Sequence, residues 1–171
     1  MSDISSFDNL LDSFRELGGS AENICLRNGS RGRGVFPVDP SLDSYVTVPD
    51  NLLIQTQDIF LKEGRIKIRP DSLYSDDVIQ FFECYQEQYG WGEKGKEEIE
   101  KFEINLKSLP ENVLKYMYDR NLLRLDLRHS GNWEECIFNL YLQSRKVDFG
   151  GKCYLAPIWD LINHDVSSPP C

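Results

Sequence analysis

Apolar and polar positions change period several times along the chain, and each change marks a different kind of element. Phe7, Leu10, Leu11, Phe14 and Leu17 recur at three- and four-residue spacing behind Ser5 and Ser6. That spacing predicts a helix with one buried face, capped by a hydroxyl and stopped at Gly18-Gly19. Over residues 24–49 the runs shorten to ICLRN, GVFPV and SYVTV, separated by NGSRGRG and DPSLD. Short extended runs between turn-forming clusters predict a small antiparallel β region. From about 50 to 131 a helical period dominates. Asp76-Asp77 can cap a helix presenting Val78, Phe81, Phe82 and Tyr85, the pattern continues over 97–106, and Leu109-Pro110 breaks it before a helix over 113–125. A last helix is predicted over 132–146, with Cys136, Ile137, Leu140 and Tyr141 as its apolar stripe and Arg145-Lys146 near its negative end. Gly150-Gly151 then returns the chain to extended structure. The layout is β-rich, helical, then β-rich, with no internal repeat, which predicts an α+β fold whose helical block is an insert.

Composition narrows the class. At 171 residues the chain can bury one real core, and 40% hydrophobic and 12% aromatic residues argue against disorder. Five cysteines (25, 84, 136, 153, 171) are odd in number and contain no C-x-x-C pair, so neither a disulfide framework nor a zinc cage is expected, and a reducing, intracellular (cytoplasmic) setting is the simpler inference. No secretory leader or apolar span of membrane length is visible, so no membrane partner is expected. Net charge is −9, and residues 71–103 hold ten acids against three lysines. Such a chain is repelled by phosphate backbones, which disfavours nucleic acid, and attracts a Lys/Arg-rich protein; a solvated acidic helix face would read the same way.

The candidate chemistry is concentrated in residues 154–164, YLAPIWDLINH. Leu155, Ala156, Ile158, Trp159, Leu161 and Ile162 suit a packed interior, whereas Asp160, Asn163 and His164 need hydrogen-bond partners there, which a polar small molecule could supply. If IWDLINH forms one helical turn, Asp160 and His164 share a face and can bond each other, as a satisfied core pair also would. The other histidine is His129 and no cysteine lies at ligand spacing, so no metal site is expected. Cys153 precedes a strand-like run and no G-x-S-x-G occurs, so covalent catalysis is unpromising. Arg31-Gly32-Arg33-Gly34 follows a strand, but the extended VFPV after it excludes a dinucleotide-binding loop. Its glycines allow close backbone approach to a ligand, and a plain turn would use the same residues. Ser144-Arg145 closes the last helix, where a cation complements the helix dipole or, with the hydroxyl, holds a carboxylate-bearing ligand.

Taken in order, the N-terminal helix, GRGVF, Val48-Pro49, the helical insert, Ser144-Arg145 and LAPIWDLINH resemble the SET-domain protein-lysine methyltransferases, in the branch of the RuBisCO large-subunit methyltransferase. The resemblance implies a small antiparallel-strand SET core, its first part with the N-terminal helix in residues 1–60, interrupted by a mainly helical insert over 61–143 and resumed over 144–171. It implies S-adenosylmethionine as cofactor, with Gly32, Arg33 and Gly34 offering main-chain contacts, Ser144 and Arg145 on the cofactor side, Asn163 and His164 on its amino-acid and adenine portions, and Asp160 bracing that turn. The expected partner is a basic protein substrate with an accessible lysine. Asp165 stands where many relatives have serine. The family's tyrosine beside the transferred methyl group, which follows the asparagine-histidine motif, has no counterpart, so the chain reads as a shortened enzyme with its catalytic residue unknown, or as a non-catalytic SET-like module that binds a basic protein.

Overall fold

A computed structural model of the chain describes residues 6–29, 32–120 and 133–162. The fold is α+β, four small antiparallel sheets and five helices among the described residues. Helix α1 (Phe7–Glu16) starts where Ser6 accepts a hydrogen bond from the Asn9 amide at 3.2 Å, and it ends before Gly18, whose φ of +94° only glycine adopts readily. Its buried Leu10, Leu11 and Phe14 face the interior. Gly19 is required for a different reason: a Cβ there would come within 2.4 Å of the Phe14 ring.

Strand β1 (Ser20–Glu22) pairs with β4 (Tyr45–Thr47), and β2 (Ile24–Gly29) pairs with β3 (Gly32–Pro37) over the register Ile24–Pro37 to Gly29–Gly32. Asn23 joins the two sheets. Its φ is +54°, its side-chain amide donates to the Asp39 and Leu42 carbonyls at 2.9 and 3.0 Å, and its Oδ1 accepts from the Asp39 amide at 2.8 Å.

The helical reading of the stretch after residue 50 is corrected at its start. Two short 3-10 turns (Asp50–Leu52 and Thr56–Asp58) flank β5 (Ile54–Gln55), and β6 (Ile59–Lys62) and β7 (Arg65–Ile68) form a hairpin. Glu63 and Gly64 both have positive φ, +53° and +72°, the geometry of a tight two-residue hairpin turn. Helices begin at α2 (Asp76–Gln88), whose cap is Ser75, accepting from Val78, and not the Asp76-Asp77 pair; those acids sit in the first turn. Then come α3 (Gly92–Lys107), α4 (Glu111–Asp119) after the expected break at Pro110, and α5 (Trp133–Arg145). Of the helix expected over 113–125, the part beyond 120 lies outside the described residues.

Strand β8 (Val147–Phe149) precedes Gly150-Gly151, which is therefore the turn of a hairpin with β9 (Lys152–Leu155). Strand β9 also pairs with β5, bringing Ile54 against Leu155, both fully buried. Strands on either side of the helical run thus share one sheet. On α2, Phe81, Tyr85 and Tyr89 stack at 6.3 Å spacing, and Phe14 and Phe7 of α1 add to the two ends of that column. No helix among the described residues is long and apolar enough to cross a membrane.

Candidate functional site

After β9 the backbone turns sharply. Ala156, Pro157 and Ile158 are buried, and a single 3-10 turn, Trp159–Leu161, follows before Ile162 resumes an extended conformation at φ −74°, ψ +115°. The 3-10 turn ends at Leu161; Asn163 and His164, and with them the expected pairing of Asp160 with His164, lie outside the described residues. Ile158 has φ +70° and ψ −46°. A β-branched L-residue in that region is strained by roughly 1–3 kcal/mol.

Asp160 is the centre of the site. Its side chain is 1% exposed, and its two oxygens are divided between two elements. The Tyr85 hydroxyl of α2 donates to Oδ1. Arg145, the last residue of α5, donates from Nη1 to the Asp160 carbonyl at 3.0 Å and to Oδ2 at 3.5 Å. Burial pushes the Asp160 carboxyl above its ordinary range, against the opposing pull of Arg145 and Tyr85. Burial, then the neighbouring Asp160 charge, push the Tyr85 hydroxyl well above its usual range. The shared proton therefore stays on the phenol.

A second link runs alongside. The Arg145 guanidinium lies over the Tyr141 ring at 5.1 Å, and the Tyr141 hydroxyl donates to Oε1 of fully buried Gln86 at 2.6 Å. Gly90 keeps that contact possible: a Cβ there would stand 2.2 Å from the same Oε1. Trp91 packs edge-on against Tyr141 and donates its indole N–H to the Gly64 carbonyl at 3.0 Å.

Ser144, Arg145, Lys146, Val147, Trp159, Asp160 and Ile162 line a cleft of about 430 Å³. Three of the residues singled out in the sequence, Ser144, Arg145 and Asp160, therefore meet at one place. The Ser144 hydroxyl donates to the Tyr141 carbonyl at 2.8 Å. Trp159 and Ile162, expected in the interior, are each 39% exposed and form the cleft's apolar wall. The backbone of Gly32, Arg33 and Gly34 lies in β3, and β3 packs against the Trp159–Leu161 turn, with Gly34 buried. Among the described residues, the cleft lining itself contains none of β3. Cys153 belongs to a neighbouring group: its thiol donates to Asp148 at 2.8 Å and accepts from Lys146 at 3.5 Å. Among the described residues no cluster of His, Cys, Asp and Glu could hold a metal ion.

No family model, curated protein or solved structure matches the chain.

Tyr85 is the residue the sequence pattern hides. It stands at the right spacing to be read as one more apolar position of α2, and the signal that marks it is chemical: a buried tyrosine hydroxyl needs a hydrogen-bond partner.

Proposed function

We propose that the chain binds S-adenosylmethionine and transfers its methyl group to a lysine side chain of a basic protein, on a SET-like core of small antiparallel sheets interrupted by helices. The observation that carries this reading is the packing of glycine strand β3 against the Asp160 turn, beside a cleft lined by Ser144 and Arg145. The residues fit such a cofactor in kind. A guanidinium and a hydroxyl suit its carboxylate, and Trp159, Val147 and Ile162 suit an apolar or ring contact. Among the described residues the hydrogen bonds of Arg145 leave from Nη1. The pairing of β5 with β9 across the helical run supports an interrupted core.

When bound, the cofactor supplies an electrophilic sulfonium methyl group. Ser144 and Arg145 would hold its carboxylate, and its methyl group would pass to a neutral amine, the sulfur keeping the bond's electron pair and the amine proton leaving to solvent. A lysine amine has an ordinary pKa of about 10.4, so it must be desolvated to react as the neutral base. The protein's contribution is then mainly alignment, worth up to about 7–11 kcal/mol in well-oriented systems.

Isothermal titration of the chain with S-adenosylmethionine, followed by methyl transfer from isotope-labelled cofactor to a basic protein, tests the proposal. Binding heat with labelled lysine supports it. No heat refutes it, and heat without transfer restricts the chain to cofactor binding.

A further inference from the structure

The strained backbone at Ile158 lies two residues before Asp160, a member of a closed ring of side chains. Tyr85 bonds Asp160, Asp160 bonds Arg145, Arg145 covers Tyr141, Tyr141 bonds Gln86, and Gln86 is the next residue to Tyr85 on α2. The ring takes in α2, α5 and the Trp159–Leu161 turn. One member ties the turn to α2: the Tyr85 hydroxyl donates to the Asp160 carboxylate, two residues beyond Ile158. A conformation such as that of Ile158 persists only where its surroundings over-determine it, and such residues gather at functional sites. The packing of Tyr85 does not need its hydroxyl. Its ring stacks on Phe81 and Tyr89, which a phenylalanine would do equally well.

We propose that Tyr85, in the helical block, is a positioning residue for the cleft: its hydroxyl fixes the strained turn so that Asp160 and Arg145 are held at the cofactor side. This rests on the cofactor-binding reading above. Tyr85 lines no part of the cleft and acts through Asp160.

The experiment compares Tyr85→Phe with Phe81→Leu, a purely apolar change on the same buried face of α2, by titration with S-adenosylmethionine and by thermal melting. Tyr85→Phe is expected to raise the dissociation constant about tenfold to a hundredfold, the range for losing a hydrogen bond to a buried charged group. Phe81→Leu is expected to lower the melting temperature with the dissociation constant unchanged. Unchanged affinity in folded Tyr85→Phe overturns the proposal, as does a loss of affinity that follows melting temperature alike in both variants. If Tyr85→Phe does not fold in buffer alone, its titration is repeated in an osmolyte that favours the compact state, and unchanged affinity there also overturns the proposal. Absence of binding by the wild-type chain refutes the cofactor reading and this inference with it, whereas wild-type binding with unaffected Tyr85→Phe removes this inference alone.

Discussion

Arg145→Met tests the electrostatics of the site most directly. The substitution keeps an apolar stem of similar reach and removes the cation that faces the Asp160 carboxylate. Asp160 is 1% exposed, so among the described side chains the Tyr85 hydroxyl is then left to balance its charge. Breaking a buried pair from one side costs about 3–5 kcal/mol. Two features reduce that figure: Arg145 is 30% exposed, and its contact with Oδ2 is a long 3.5 Å. Protonation sets an upper bound as well. Carrying Asp160 as the neutral acid at pH 7 costs at most about 4 kcal/mol, about 3 pH units above an ordinary aspartate at 1.36 kcal/mol each. A loss of about 2–3 kcal/mol at pH 7 is expected.

The sign with pH follows from linkage. The folded pKa of Asp160 already lies above its unfolded value because of burial, and removing Arg145 raises it further. A group with a raised folded pKa contributes stability that is present below the unfolded value and lost as pH rises through the folded one. The variant should therefore lie closest to wild type near pH 4–5 and fall furthest behind at pH 7. Urea unfolding at both pH values measures the difference. Asp160→Asn added to Arg145→Met should recover much of the loss, because the amide oxygen still accepts from Tyr85 and no charge is left uncompensated. A penalty independent of pH, or a double variant weaker than the single, would refute the reasoning.

Gly92 has φ +38°, and a Cβ there would stand 2.4 Å from the Glu87 carbonyl oxygen, so Gly92→Ala should destabilise by about 1–3 kcal/mol in chemical denaturation; an unchanged midpoint would contradict the geometry. Asn23→Ala removes the amide that ties residues 39–44 to β2 and places alanine at φ +54°, and a loss of about 1–3 kcal/mol is expected, with faster hydrogen exchange at the Asp39 amide; unaltered protection there would count against this role.

The parts of the fold that can be read from sequence are those where one face is buried and the cap is local. Helix α1 is an example: the Phe7–Leu17 spacing and Ser6 carry the information within a few residues. The hairpin of β6 and β7 is hidden because the apolar and basic residues of IFLKEGRIKI merge into a helical stretch, although its alternation and Glu63-Gly64 point to strands. At the site, residue types in 154–164 announce buried polar groups, yet Asp160 is satisfied by Tyr85 and Arg145, 75 and 15 residues away in sequence. Spacing along the chain cannot choose such partners. The exposure of Trp159 and Ile162 has the same origin, since the backbone turn at Ile158 reverses which residues face inward, and nothing in the sequence marks Ile158 for a positive φ.

The short seam between β5 and β9 has a kinetic consequence. Ile54 meets Leu155, and the Thr56 hydroxyl reaches the Cys153 carbonyl 97 residues away, through only two paired positions. Closing a loop of that length costs about 2 kcal/mol more than closing one of ten residues, and so short a ladder returns little of it. Helices and hairpins, whose partners are near in sequence, are expected to form earlier, and the β5–β9 seam ahead of the Asp160 turn to close late. Pulse-labelled hydrogen exchange during refolding should then protect α2 before the amides paired across β5 and β9.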